Sequence, residues 1–412
     1  MPHRGRRPKK SPSTTSGSSK PPPPLPVELI DLIFGHLPQG AEFEAPILAR
    51  CCLVSRTFLD LPRSHLYRNA HLVLSLTNLP NMVRWHSSSV SGLFVAVQSN
   101  PRLGQLVRQL AIVHCDEDSV ITTMKFASLL TVVLRSCRMI TAIAIDEPFL
   151  AHFQGILQTD TVRSALAHLE GIQIDSTSDL AWALLEALPR ETLRHLRIDV
   201  HEPALPTHRT PLPPVPNLCL KTLAVSGSAE PHVPFLKNLF PCIASTLTHM
   251  LLDLDAIDGF PCLEALPQLQ ELRICVPDGD LKRTFFACLP PLIKSCKRLK
   301  TLKMYSRTLT LSNVLTLTSA EPTGLAAHLP SSIVFLRLPA PYFHPLDLVR
   351  FITAVPQAAR LRRIEVGAYE LPLGRRDRKK RPEMPTEEEK EELRKVCKRR
   401  GIEVVELDNW CR

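Results

Sequence analysis

Residues 169–174, 193–198, 220–225 and 247–252 read LEGIQI, LRHLRI, LKTLAV and LTHMLL. Each copy holds an apolar residue, two variable ones, a second apolar residue, a variable one and a third apolar residue. The last two apolar positions lie two residues apart, the period of a strand that buries one face. The same spacing occurs at Val107/Leu110/Ile112, Ile140/Ile143/Ile145, Leu269/Leu272/Ile274 and Leu299/Leu302/Met304. It returns at Ile333/Leu336/Leu338, Leu361/Ile364/Val366 and Ile402/Val405/Leu407. Eleven copies begin between residues 107 and 402, at intervals of 22 to 41 residues. Amphipathic stretches at 119–137, 179–188, 233–244, 284–296 and 346–355 are long enough to form helices between them.

One such unit cannot bury its apolar positions by itself, so neighbours must stack to complete the core. One strand plus one helix per unit is the pattern of a leucine-rich repeat, and residues 106–412 resemble that family. The fold class read here is α/β: an irregular solenoid with parallel strands on one face and helices on the other. An ordinary α/β domain also has apolar parallel strands, but it does not account for eleven scattered copies. The family carries Asn or Cys three residues after its last apolar position, forming a side-chain ladder through the turn. Here those sites hold Thr177, His201, Ser228, Asp255, Pro277, Arg307 and Pro341, which predicts irregular curvature.

Two stretches interrupt the repeats. Glu202–Pro216 contains six prolines and Leu371–Pro385 contains three beside a basic run, so both are read as loops. After the second, Thr386 and Glu389 form a capping-box pair, and Glu387–Glu389 occupy a first turn. Lys398–Arg400 suit a last turn and Gly401 a helix stop. A helix and strand at 386–408 are therefore expected to cap the solenoid.

Upstream, residues 25–38 read LPVELIDLIFGHLP and residues 48–68 read LARCCLVSRTFLDLPRSHLYR. Both are short helical patterns with more apolar surface than they can hide alone, the mark of a docking module. The order Leu25-Pro26-x-Glu28-Leu29, then Ile33 and Leu37, then Leu53-Val54-Ser55-Arg56-x-Phe58, then Leu66-Tyr67, resembles the F-box family. The match covers about a tenth of the chain, and Gln39–Pro46 is longer and looser than the family's pattern. The resemblance implies docking on the Skp adaptor of a Skp–cullin–F-box ubiquitin ligase. Its contacts would be Leu25, Pro26, Glu28, Leu29, Ile33, Leu37, Leu53, Val54, Ser55, Phe58, Leu66 and Tyr67. This gives a tail at 1–24, an all-α F-box at 25–70, a helical connector at 71–105 and the solenoid at 106–412. Together the modules are similar to the F-box and repeat proteins common in basidiomycete fungi.

The net charge of +10 is concentrated at two places. Residues 1–24 contribute +6 and residues 375–381 contribute +5, leaving −1 on the remainder. A near-neutral body argues against a nucleic-acid domain, whose cations spread over a folded face. Either run suits a nuclear import signal or a solvated segment, and the expected compartment is cytoplasm, nucleus or both. Pro21–Pro24 is a stiff spacer. No apolar run reaches the length of a membrane span, and the amino-terminal segment lacks the apolar centre of a secretory signal. The twelve cysteines show no paired CxxC spacing, so buried reduced thiols are expected, without metal or other cofactor.

No catalytic constellation is legible: HExxH, GxSxG and P-loop patterns are absent. The chain reads as a non-catalytic adaptor. In a repeat strand the residues beside the apolar ones point outward, so a protein substrate would meet the concave strand face. Arg197, Arg273, Lys303 and Arg337 fall at the same strand position and Tyr305 lies beside them, which suggests an acidic or phosphorylated partner. Two rival readings remain: a Skp-bound scaffold serving an assembly without ubiquitylation, and a nucleic-acid-associated protein using its basic tails.

Overall fold

A computed structural model describes residues 26, 28–30, 65, 67–74, 99–114, 123–200, 218–227, 229–254, 266–276, 281–294, 296–306, 320–338, 345–357, 359–367 and 386–407. The chain divides into two units, Met1–Leu66 and Tyr67–Arg412. In the first, the Pro26 carbonyl accepts from the backbone N–H of Leu29 at 3.1 Å and of Ile30 at 3.2 Å. Pro26 therefore sits at the cap, just ahead of the helical residues 28–30, rather than inside the first turn.

The second unit is a stack. Its strands are β1 (Asn69–Leu74), β2 (Gln109–His114), β3 (Ala142–Ile145), β4 (Gly171–Ile174), β5 (His195–Val200) and β6 (Thr222–Gly227). They continue as β7 (His249–Leu254), β8 (Glu271–Val276), β9 (Thr301–Ser306), β10 (Phe335–Leu338), β11 (Arg363–Gly367) and β12 (Glu403–Leu407). All pair in parallel, in the order β1 to β12. A doubly wound domain reverses its strand order at a switch point. Strictly sequential order is instead that of a solenoid, so the repeat region is leucine-rich-repeat-like in architecture.

Helices occupy most crossovers: α1 (Pro101–Gly104), α2 (Thr123–Ser136), α3 (Glu147–Leu157), α4 (Asp160–Ala165) and α5 (Asp179–Ala187). Then come α6 (Ala229–Ile243), α7 (Leu281–Lys294), α8 (Ala320–Ala327), α9 (Pro345–Ala354) and α10 (Glu387–Arg400). The helices share one continuous core with the inward strand residues. The first apolar position of every copy, from Val107 to Ile402, is buried. Register then stacks Leu110, Ile143, Ile172, Leu196 and Leu223 in one row, and Ile112, Ile145, Ile174, Ile198 and Val225 in the next. Full burial of each such side chain contributes about 1.5–3 kcal/mol.

A main-chain ladder stands at the edge where the strands begin. The Thr141 carbonyl accepts from Glu170 and Gly171 at 2.8 and 2.9 Å, and the Glu170 carbonyl from Arg194 and His195 at 2.7 and 2.9 Å. The same two-donor junction recurs through Arg194, Lys221, Thr248, Gln270, Lys300 and Val334. It links successive units by peptide groups, whatever the side chains at these positions.

Two sequence boundaries are corrected. β1 lies across the expected end of the F-box and the start of the helical connector, so the strand stack begins well before residue 106. Tyr67, Ala70 and Leu72 have the repeat spacing, and Ala70 and Leu72 pair with Leu110 and Ile112. A small Ala at the middle position hides this copy. In the last copy the expected inward residues were Val405 and Leu407, but Val404 pairs with Ile364 and packs against the core. One residue of slip exchanges the faces of a strand. The expected loops at 202–216 and 371–385 lie outside the described residues.

The terminal cap forms as its sequence dictates. Thr386 accepts from the Glu389 N–H at 3.3 Å, and Glu389 Oε2 accepts from the Thr386 N–H at 2.8 Å. Gly401 has φ 65°, and Ile402 N–H returns to the Cys397 carbonyl at 2.9 Å. Thr386→Ala removes one of two reciprocal caps and lowers stability by about 1 kcal/mol, readable by urea unfolding.

Candidate functional site

The outward face of the sheet carries the residues between the buried ones. Gln173, Arg197, Ala224, Leu251, Arg273, Lys303, Arg337 and Glu365 stand in one row across eight strands. The four cations singled out in the sequence thus share a row. They are not free anion receptors, because each is already held by a carboxylate of the same face.

Three carboxylates do this. Asp199 is 4 % exposed; it accepts from Arg197 Nε at 2.7 Å, from Gln173 Nε2 at 2.8 Å, and from the Ser226 hydroxyl. Glu271 accepts from Arg273 Nε at 2.7 Å and Lys303 Nζ at 2.9 Å. Glu365, 7 % exposed, accepts from Arg337 Nε at 2.9 Å and Arg363 Nη2 at 2.8 Å. Tyr305 joins the last group: the Arg337 guanidinium lies 5.5 Å from its ring centroid. Lys303 Nζ lies 5.7 Å from the centre of the Phe335 ring. The missed signal was local. Arg197-x-Asp199, Glu271-x-Arg273 and Arg363-x-Glu365 each place opposite charges two residues apart, on one side of a strand.

Glu271 reports on this network. Burial raises its pKa, but hydrogen bonds from Lys303 and Arg273 and their positive charge outweigh that, and the net shift is downward. Its contribution to stability is complete above the ordinary glutamate value of about 4.3 and disappears as pH falls through the lower folded value. The stability difference between wild type and Glu271→Gln is therefore constant near neutral pH and shrinks below about pH 4. Urea titrations across that range measure it.

Towards β2 the same face changes character. Ala111, Ala142, Ala144, Gly171, Thr222 and Ala224 floor a trough of about 490 Å³, bordered by Gln109, Asp146, Gln173, His195 and Arg197. Small side chains beside an ion network give a surface that discriminates by shape at one end and by charge at the other. Such a face suits contact with a protein segment.

Of the adaptor residues read from the sequence, Pro26, Glu28 and Leu29 are described and exposed, Leu29 to 49 %. Leu25, Ile33, Leu37, Leu53, Val54, Ser55, Phe58 and Leu66 lie outside the described residues. Tyr67 is half-buried and packs against the solenoid core as the first apolar residue of the β1 unit.

Among the described residues no group of three or more His, Cys, Asp or Glu side chains is placed to hold a metal. No helix among them is long and apolar enough to cross a membrane. Burial pushes the Cys137 thiol up to about 12 and the Cys397 thiol up to about 11, so neither is a nucleophile at neutral pH.

No family model matches the sequence, and no curated protein matches it. Solved structures are similar in fold. The leucine-rich-repeat-containing protein LegL7 from Legionella pneumophila has 13 % identity and a TM-score of 0.42, with 82 % of this chain and 89 % of that one covered. Rad7, in its complex with Elc1 from yeast, has 13 % identity and a TM-score of 0.35, with 83 % and 81 % covered. TLR13, in its complex with ssRNA13, has 14 % identity and a TM-score of 0.34, with 64 % and 36 % covered.

Proposed function

We propose that this protein is the substrate-recognition subunit of a Skp–cullin–F-box ubiquitin ligase. Residues 25–66 dock on the Skp adaptor, and through it on cullin, while the outward strand face holds a protein substrate. The observation that carries this reading is the order along the chain. A segment ordered as Leu25-Pro26-x-Glu28-Leu29 and Leu53-Val54-Ser55-Arg56-x-Phe58 precedes, in sequence, the residues of a twelve-strand stack. The half-exposed Leu29 side chain supports it, since an adaptor contact must be reachable. The chain's contribution is positioning: tethering a substrate beside the transfer machinery raises its effective concentration to the millimolar range, about 10⁻³ M for short links.

The test is affinity purification of the full chain from its native cell, wild type against Leu25→Ala/Pro26→Ala. The expected result is loss of Skp and cullin together, with other bound proteins retained. Skp without cullin in the wild-type sample identifies the scaffold reading instead. Unchanged Skp in the double variant refutes the F-box assignment.

A further inference from the structure

The near-neutral charge of the body conceals a sorted arrangement. In the turns leading into β9 and β11 stand Lys297, Arg298, Lys300, Arg360 and Arg362, and all five are cations of the exposed surface with no ion pair among the described residues. Among the described residues the Lys300 and Arg298 side chains bond neutral amides, Gln270 and Gln268. The turns at 296–300, 328–334, 355–362 and 397–402 contain no acidic residue. Stacking gathers these cations. The Lys300 carbonyl accepts from Val334 N–H at 2.8 Å and the Val334 carbonyl from Arg362 N–H at 2.9 Å, so Lys300 and Arg362 lie two strands apart, about 10 Å.

The end of α10 joins the same edge. Arg400 Nη1 donates to the Ile352 carbonyl at 2.9 Å and Nη2 to the Val355 carbonyl at 2.8 Å, which ties its last turn to the end of α9. Exposed Lys398 and Arg399 thereby border the cluster. Part of this charge has a structural use, because the carbonyl ends of α7, α8, α9 and α10 lead into the turns of this edge. Each helix end is equivalent to about −0.5 charge, so four offset only about −2 of the +7. The described carboxylate at the border, Glu403, faces Arg363 at 3.8 Å.

We propose that this cluster is a docking site for a short acidic segment of a partner protein. From β9 to β12 the patch spans three strand spacings, about 14 Å, the length of four or five extended residues. The turns that form it carry no Phe, Tyr or Trp side chain for stacking bases, and the patch is too short to track a nucleic-acid backbone. The site is separate from the paired cations of the outward face. It rests on the receptor reading only in making that partner a substrate; the binding itself does not depend on the F-box.

A fluorescent oligoglutamate peptide and a single-stranded oligonucleotide of equal charge test the proposal on the full-length chain. The K297Q/R298Q/K300Q/R360Q/R362Q variant, checked for native circular dichroism, is compared with wild type, with R108Q/R138Q/R190Q from the first half of the edge, and with Leu25→Ala/Pro26→Ala. Peptide affinity is expected to fall about tenfold or more in the five-site variant and with rising salt, and to persist in the other two. If the five-site variant is misfolded, R360E/R362E gives the same readout. Equal peptide binding by the five-site variant overturns the proposal, as does tighter binding of the oligonucleotide at the same residues. Loss of Skp binding in Leu25→Ala/Pro26→Ala with the peptide retained separates this site from the F-box reading.

Discussion

Trp182→Ala lowers the unfolding free energy by about 3–5 kcal/mol, the range for removing a fully buried aromatic side chain. Trp182 is 1 % exposed on α5, and its ring meets Phe235 of α6 edge to face, 5.2 Å between centroids. The two helices belong to units on either side of the β5–β6 crossover, which has no described helix of its own. The indole therefore packs the helix of one unit directly against the next described helix along the stack. Neighbouring helices cannot close the void without shifting strands that are fixed by the main-chain ladder. Urea unfolding of the variant measures the loss. A drop below about 1 kcal/mol means that the site collapses freely, and that this junction is not rigid.

Glu365→Ala has the second largest effect, about 2 kcal/mol. The carboxylate is nearly buried and satisfies Arg337 and Arg363 at once. Its removal leaves two guanidinium groups facing each other, although their partial exposure, 26 % and 43 %, lets water recover some of the loss. Glu365→Met is equally destabilising if loss of the shared carboxylate charge is the cause. The triple change Arg337→Met/Glu365→Met/Arg363→Met restores most of the stability, because replacing a whole ion network by apolar residues is close to neutral. If the triple variant is no more stable than Glu365→Ala, packing rather than charge holds this part of the face.

The candidate surface was partly legible. The spacing of Arg197, Arg273, Lys303 and Arg337 placed them in one row, because period-two alternation is a property of any strand. Their neutralisation depends on register as well as spacing, which the sequence does not display. Lys303 reaches Glu271 only because β8 and β9 pair Arg273 with Lys303. Arg337 reaches Glu365 only because those two are register partners. β1 is hidden in the sequence for a related reason: Ala70 carries little hydrophobic signal, and only pairing with Leu110 identifies it as a repeat position.

What the amino-acid order determined by itself is the local part: which residues are buried in β2 to β11, and where α10 starts and stops. Period, capping and glycine chemistry act within a few residues and need no partner. The tertiary structure decided which charges cancel and which accumulate. Lys300 and Arg362 are 62 positions apart in the chain, yet stacking sets them two strands apart. Coulomb energy depends on distance through space, so a body near neutral in sum presents paired ions on its strand face and, among the described residues, cations without an ion pair along the edge where the strands begin.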